Sequence, residues 1–281
     1  MKNLELQTQW IFKDKYNSRW NKEILNDIKR LKTGEPVDYI IGWKPFLNCK
    51  IDLTFKPLIP RPETEFWVEK SITNIKKFCN YPESNEGSHK KRNVVLKIAD
   101  VFSGSGCIGI AVLKNIKNSK VDFYEIDSNL IKQIELNLKL NKINKSRYRV
   151  IQANIFTLPK SDYSLPTRQS LSVGGSLSKG KYDFILANPP YIALSRKNKV
   201  QKSVLKHEPK KALFSGKDGL NIIKKFIKQS KNHLNTEGTI WMEFDPSQKP
   251  LINKILKKQK YKNWEFYKDQ YKKFRFVKIV A

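Results

Sequence analysis

The stretch of the chain richest in chemical possibility is Asn188-Pro189-Pro190-Tyr191, which follows directly on the apolar run 182–187. Proline fixes the backbone and carries no N–H, so this neighbourhood displays carbonyl oxygens. Together with the Asn188 side-chain oxygen they can accept both hydrogens of a planar –NH2 group. A group gripped in this way is held rather than ionised. The Tyr191 ring can lie on the flat face of the same substrate, and an aromatic face also favours a nearby cation. A Pro-Pro turn closing a strand would account for the two prolines, but not for Asn on one side and Tyr on the other.

A second constellation lies upstream. The turn Asp100-Val101-Phe102-Ser103-Gly104-Ser105-Gly106 separates an apolar run from a helical pattern. Glycine lets backbone approach a ligand closely, and a helix N-terminus offers unpaired N–H groups. A Gly-Ser-Gly stretch is equally a plain turn. About twenty residues on, Asp127 closes the next apolar run, where a carboxylate can accept both hydroxyls of a ribose; Asp127-Ser128 can equally cap the helix that follows. Turn and acid together have the spacing of one nucleoside site built across adjacent strand ends.

Such residues need elements to position them. Apolar patterning predicts strands over 94–101, 121–126, 149–151, 182–187 and 239–244, with closing strands over 264–267 and 275–280. Helices are predicted over 107–116, 130–140, 220–234 and 250–258. Alternation of strand and helix calls for a parallel sheet. Ahead of it, apolar residues recur at three to four positions between Leu4 and Leu31, as in two short amphipathic helices. A hairpin through Cys49, Ile51, Leu53 and Phe55 leads to Pro60-Arg61-Pro62, and Pro62 with Glu63 and Glu65 opens a helix expected to end near Cys79. The stretch 80–93 reads as a loop. Residues 160–181, rich in Ser, Gly and Lys without apolar period, read as a mobile insertion. The resulting division is a helical N-terminal domain over 1–45, a hairpin bridge over 46–61 and an α/β domain over 62–281.

Composition narrows the function classes. The 281 residues carry a formal net charge of +29, enough to draw the chain toward nucleic acid, ribosomes or an anionic membrane surface. Only nine of the 55 cationic residues are Arg, and the lysines are spread over every segment, so a Lys-rich solubility bias reads the same composition equally well. Cys49, Cys79, Cys107, His89, His207 and His233 show no zinc-site spacing, so no metal is expected. No apolar run approaches the roughly 20 residues that span a bilayer, so no membrane insertion is expected. The N-terminus shows no legible targeting segment.

Taken together, the motifs resemble class I S-adenosylmethionine-dependent methyltransferases that act on amide or exocyclic amino nitrogens. Within these the chain is similar to the PrmC/HemK group, which methylates the glutamine of the Gly-Gly-Gln motif in class I peptide release factors. The resemblance is carried by PVDYIIG over 36–42, LIPRPETE over 58–65, DVFSGSGCIGI over 100–110, NPPY over 188–191, HEPKKAL over 207–213 with Asp218-Gly219-Leu220, and KKFRFV ending at Val277. It implies a Rossmann-like, seven-stranded, mostly parallel sheet with a small helical N-terminal domain. It also implies that S-adenosyl-L-methionine is the methyl donor, with Ser103, Gly104, Ser105 and Gly106 around its methionine moiety and Asp127 on its ribose. Asn154 stands near the adenine amino group, where the family has Asp. Asn188, Pro189, Pro190 and Tyr191 are implied as the catalytic residues that hold the glutamine, with Asn188 also beside the donor, and Arg61, Glu63 and Glu65 roof the site. Phe102 stands where the family's loop has its first glycine. Basicity, the insertion and the phrase Trp241-Met242-Glu243-Phe244-Asp245 resemble fungal mitochondrial members, implying a mitochondrial release factor as partner. Two alternatives use the same residues: an adenine-N6 methyltransferase of DNA or RNA, and a non-enzymatic RNA- or ribosome-binding protein on a methyltransferase fold.

Overall fold

A computed structural model describes residues 2–80, 94–155 and 181–281 of the chain. Helices α1 (Lys2–Trp10), α2 (Ile24–Lys32) and α3 (Val37–Ile41) open it. Ile11, Leu31, Val37 and Ile40 form a buried cluster of their own here, separate from the core of the sheet. Strands β1 (Trp43–Phe46) and β2 (Cys49–Asp52) form an antiparallel hairpin that begins inside the segment expected to be helical and ends before Leu53 and Phe55, which the sequence pattern includes in it. Helix α4 (Pro62–Asn80) begins with proline and two acids in its first turn, as its helix-start chemistry requires, and buries Trp67, Val68, Ile72 and Ile75 along one face.

The strand-helix alternation follows as β3 (Leu96–Val101), α5 (Cys107–Asn115), β4 (Ser119–Glu125), α6 (Ser128–Leu140), β5 (Tyr148–Gln152) and β6 (Tyr182–Ala187). After two short helices, α7 (Lys202–His207) and α8 (Lys210–Leu213), come α9 (Asn221–Ser230), β7 (Leu234–Glu243), α10 (Lys249–Lys258), β8 (Asn263–Lys268) and β9 (Phe274–Val280). The seven-stranded sheet runs in the order β5-β4-β3-β6-β7-β9-β8. The first five strands in that order are mutually parallel, and β9 joins antiparallel between β7 and β8. One apolar layer under the sheet takes Trp67, Ile110, Leu113, Ile134 and Leu138 from α4, α5 and α6; the other takes Phe226, Ile227, Ile252 and Leu256 from α9 and α10.

Two local readings change. The helix predicted over 220–234 stops at Ser230, and β7 starts at Leu234 rather than near 239. Asn235-Thr236-Glu237-Gly238, the gap between the predicted helix and strand, is part of β7, which absorbs it as a register shift between Tyr182 and Phe184 of β6, with Glu237 taking a φ of 63°. The short α7 and α8 were not foreseen; neither is long enough to show an apolar period. The insertion reading over 160–181 and the loop over 80–93 fall almost wholly outside the described residues. Among the described residues no helix is long and apolar enough to cross a membrane, and no cluster of His, Cys, Asp and Glu is placed to hold a metal ion.

Candidate active site

The chain runs outward from β3 through β4 to β5 and then crosses back to lay β6 on the other side of β3, and this switch point between β3 and β6 opens a crevice beyond the carboxyl ends of the strands. The predicted residues gather there. Ser103 to Gly106 follow β3, Asp127 follows β4, Asn154 follows β5 and Asn188 follows β6; Glu243 ends β7 on the same edge.

The loop after β3 has an unusual backbone. Phe102, Gly104 and Gly106 all sit in the left-handed region, with φ of 64°, 54° and 78°. This explains why glycine suits position 102, since a side chain there costs roughly 1–2 kcal/mol. Phe102 keeps the same loop path and offsets the strain by packing its ring edge-to-face on Phe226, with centroids 5.6 Å apart. The loop is tied at each step: Ser103 Oγ donates to the Asp100 carbonyl at 2.8 Å, Gly106 N to the Ser103 carbonyl at 2.7 Å, and Asn137 Nδ2 to the Ser105 carbonyl at 2.9 Å.

Gly104 N donates to Glu125 Oε2 at 2.9 Å, and the other Glu125 oxygen accepts from Ile126 N and Asp127 N at 2.8 and 3.0 Å. Glu125 is buried, and desolvation pushes its carboxyl above the ordinary range against the pull of these N–H donors. Asp127 lines the same cleft, but its Oδ1 accepts from Asn129 N at 2.9 Å and caps α6. The sequence reading passed over Glu125 because Asp127, two residues on, satisfies the same spacing. The strand expected over 121–126 ends instead at Glu125, a boundary that the apolar pattern alone does not separate from Ile126. The cleft, about 680 Å³, also takes in Ser103, Gly104, Ser105, Asn154, Asn188 and Pro190; Gly106 lies beneath it as the residue before α5.

On the other side of Asn188 lies a second cavity of about 430 Å³, lined by Pro189, Tyr191, Arg196 and Asp245 among others. The two cavities share Leu58, Arg61, Asn188 and Ala212. Arg61 is held by Glu208 of the HEPKKAL segment at 2.6 Å, and Glu208 also accepts from Ile59 N. Of the three residues expected to roof the site, Arg61 alone lines it. Glu65 instead accepts from Leu47 N at 2.8 Å, tying α4 to the hairpin, and Glu63 lines neither cavity.

The Asn-Pro-Pro-Tyr segment is fixed from behind. Asn188 Nδ2 donates to Thr64 Oγ1 at 3.2 Å, and Tyr191 OH donates to Glu243 Oε1 at 3.0 Å. Burial beside Glu243 pushes the Tyr191 hydroxyl far up, so it stays a phenol. Gln248 Nε2 donates to the carbonyls of Tyr191 and Asp218 at 2.9 and 3.3 Å. Gly219 closes this corner with φ of 75°, and a Cβ there would stand 2.2 Å from the Tyr191 carbonyl oxygen, which accounts for the glycine in Asp218-Gly219-Leu220. Thr64, Glu125, Glu208, Glu243 and Gln248 are the site residues that sequence reasoning left unassigned.

Comparison with known proteins gives the family of the chain. Residues 70–274 match the family described as Eco57I restriction-modification methylase. The chain is 30% identical over 249 residues to a release factor glutamine methyltransferase of Lactococcus lactis, covering 89% of this chain and 78% of the relative. It is 32% identical to that of Borreliella burgdorferi, covering 84% of this chain and 70% of the relative. Among solved structures, the catalytic domain of human METTL16 in complex with a MAT2A 3'UTR hairpin superposes with a TM-score of 0.54 at 16% identity, covering 84% of this chain and 76% of that one. That likeness is one of fold. A family match over residues 70–274 and relatives at 30–32% identity that each cover more than four fifths of the chain lead to one conclusion: the chain is an S-adenosylmethionine-dependent methyltransferase that belongs to the matched methylase family and, with these relatives, to the PrmC/HemK release factor glutamine methyltransferases.

Proposed function

We propose that this enzyme transfers a methyl group from S-adenosylmethionine to the side-chain amide nitrogen of the glutamine in the Gly-Gly-Gln motif of a class I peptide release factor. The observation that carries the reading is the position of Asn188 in the wall between the two cavities. One cavity has the strand-end chemistry of a nucleoside site, and the other opens toward the protein surface beside Tyr191 and Arg196.

The residues of the larger cleft fit the donor. The turn at Ser103, Gly104 and Ser105 leaves room for the methionine moiety, and Glu125 has lone pairs beyond its three backbone bonds for the ribose hydroxyls, with Asp127 beside it. The Asn154 side-chain oxygen can accept from an adenine amino group as a carboxylate would. When bound, the donor supplies a methyl group activated by a sulfonium centre.

The protein's own task is to make a poor nucleophile react. An amide nitrogen is weak because its lone pair is delocalised into the carbonyl. Asn188 Oδ1 and the Pro189 carbonyl accept its two hydrogens, orient it toward the cleft and stabilise positive charge as it develops on nitrogen. The Tyr191 ring, anchored through its hydroxyl, forms a fixed wall for the planar amide. No strong base is required, and the proton leaves to water after transfer.

We also propose a mitochondrial release factor as substrate and the matrix as the site of action. This is supported by the net charge of +29 and by the resemblance of the segment around Glu243 to fungal mitochondrial members. Recovery of the tagged full chain in the cytosol alone would remove that part of the proposal. A second reading, adenine methylation in nucleic acid, draws on the match to a restriction-modification methylase family and on the same charge.

One experiment separates the readings. The enzyme and labelled donor are incubated with release factor, with release factor whose motif glutamine is changed to alanine, with a DNA duplex and with an rRNA fragment, and each product is analysed by mass spectrometry. The proposal expects one methyl on the motif glutamine and none on the alanine variant. Methylated adenine with unmodified release factor would replace it with the second reading.

A further inference from the structure

Glu243 ends β7 with 1% of its surface exposed, and methyl transfer as described makes no direct call on it. Its carboxylate nonetheless bonds three side chains from two distant segments. Oε2 accepts from Thr64 Oγ1 at 2.7 Å and from Trp67 Nε1 at 2.8 Å, and Oε1 accepts from Tyr191 OH at 3.0 Å.

Burial pushes the Glu243 carboxyl up, while its three side-chain donors favour the carboxylate; with Glu243 in that form, the polarity of this network follows from donor and acceptor inventories. An indole N–H can only donate, so Oε2 is an acceptor. Thr64 has one hydroxyl hydrogen, and it is committed to that same oxygen. Toward its other neighbour Thr64 can therefore only accept. That neighbour is Asn188, and only the –NH2 end of its amide can donate. The amide is thus turned with Nδ2 against Thr64, which frees Oδ1 for the junction of the two cavities.

We infer that Glu243 and Thr64 are positioning residues that set the amide orientation of Asn188, so that the site presents an acceptor to substrate –NH2 hydrogens and not a donor. The inference rests on the reading in which Asn188 grips the glutamine amide. Without the relay nothing in the network distinguishes the two amide orientations, and in the flipped one Nδ2 would face the substrate nitrogen, donor against donor. The relay also makes the site selective, because a carboxylate in place of the substrate amide would meet an acceptor.

Kinetics of four proteins test this: wild type, Thr64→Val, Thr64→Ser and Glu243→Gln, each with release factor as substrate and each with donor affinity measured by calorimetry. Thr64→Val keeps the side-chain shape and removes the hydroxyl; its kcat should fall by roughly tenfold or more, the lower end of what one preorganised contact contributes. Because the contact acts in the transition state, KM for release factor and Kd for the donor should stay within about threefold. Thr64→Ser restores the hydroxyl. Glu243→Gln can keep its oxygen toward Thr64 and Trp67 while turning its –NH2 to Tyr191. Thr64→Ser should therefore return kcat to within roughly threefold of wild type, whereas Glu243→Gln, which leaves the Tyr191 hydroxyl hydrogen without its acceptor, should fall between Thr64→Val and wild type. Wild-type kcat in Thr64→Val, or a Thr64→Ser variant as slow as Thr64→Val, would overturn the relay while leaving the proposed function intact. A wild-type enzyme that leaves the glutamine unmodified would overturn the proposed function and the relay with it.

Discussion

The two halves of the site are held by different parts of the chain. The larger cleft, which we assign to the donor, is shaped mainly by backbone: left-handed residues at Phe102, Gly104 and Gly106, and amides of Gly104, Ile126 and Asp127 converging on Glu125. The acceptor side is built from side chains, with Thr64, Trp67, Asn188, Tyr191 and Glu243 drawn together across as many as 179 residues of sequence. A backbone scaffold tolerates side-chain change as long as the loop path survives. In a buried side-chain network, losing one member leaves its partners unsatisfied. Both departures from the family pattern, Phe102 and Asn154, fall on the donor side.

This contrast predicts where substitutions hurt. The largest effect should come from Asn188→Ala, which removes the acceptor at the junction. Turnover on release factor should fall on the order of 10²-fold or more while donor affinity is kept, as for the loss of a preorganised transition-state contact. A parallel loss of donor affinity by calorimetry would mean that the two halves are not separable at Asn188. Next comes the pair at the end of β4. Glu125→Ala should weaken donor binding by roughly 1.5–3 kcal/mol, the scale of hydrogen bonds to a charged group. Asp127→Ala should cost about 1 kcal/mol of stability through the lost cap and leave donor affinity less changed. The reverse ranking in calorimetry would return the ribose to Asp127.

How much of this was legible depended on whether the signal was local. The turn after β3 and the Asn-Pro-Pro-Tyr segment announce themselves because glycine and proline restrict backbone within a few residues. That the strands form a mostly parallel sheet followed from the alternation of elements, whereas the order in which they lie did not. Glu243 was visible as an acid at a strand end, yet nothing near it in sequence names Thr64, Trp67 or Tyr191 as partners. The hairpin's seat was hidden in another way. Gln133 and Asn137 on α6 and Asn141 at its C-cap lie at successive four-residue steps, a spacing that reads as an ordinary polar face. In the fold all three are buried and bond the backbone of 50–55, with Asn137 Oδ1 accepting from Asp52 N at 2.8 Å and Asn141 Oδ1 from Lys50 N at 3.1 Å. A polar stripe beside an apolar one can satisfy an edge strand as well as face water.

The smallest predicted effect sharpens the comparison most. Phe102→Gly relieves the left-handed strain but loses the contact with Phe226, two terms of roughly 1–3 kcal/mol that oppose each other. The melting temperature should therefore move by a few degrees, and donor affinity should stay within about threefold because the loop path is set by backbone bonds. A loss of donor affinity beyond tenfold would show that the Phe102 ring itself holds the donor, and that the cleft is less a backbone construction than the loop suggests.

The account turns on a glutamine amide meeting Asn188 where the two cavities join, and a crystal structure of the enzyme with the release factor's Gly-Gly-Gln domain and S-adenosylhomocysteine observes that directly. The expected result is the glutamine side chain entering through the cavity lined by Tyr191 and Arg196, with its nitrogen within hydrogen-bond distance of Asn188 Oδ1 and the Pro189 carbonyl. A glutamine bound away from that junction, or an Asn188 amide turned with Nδ2 toward it, would contradict the account.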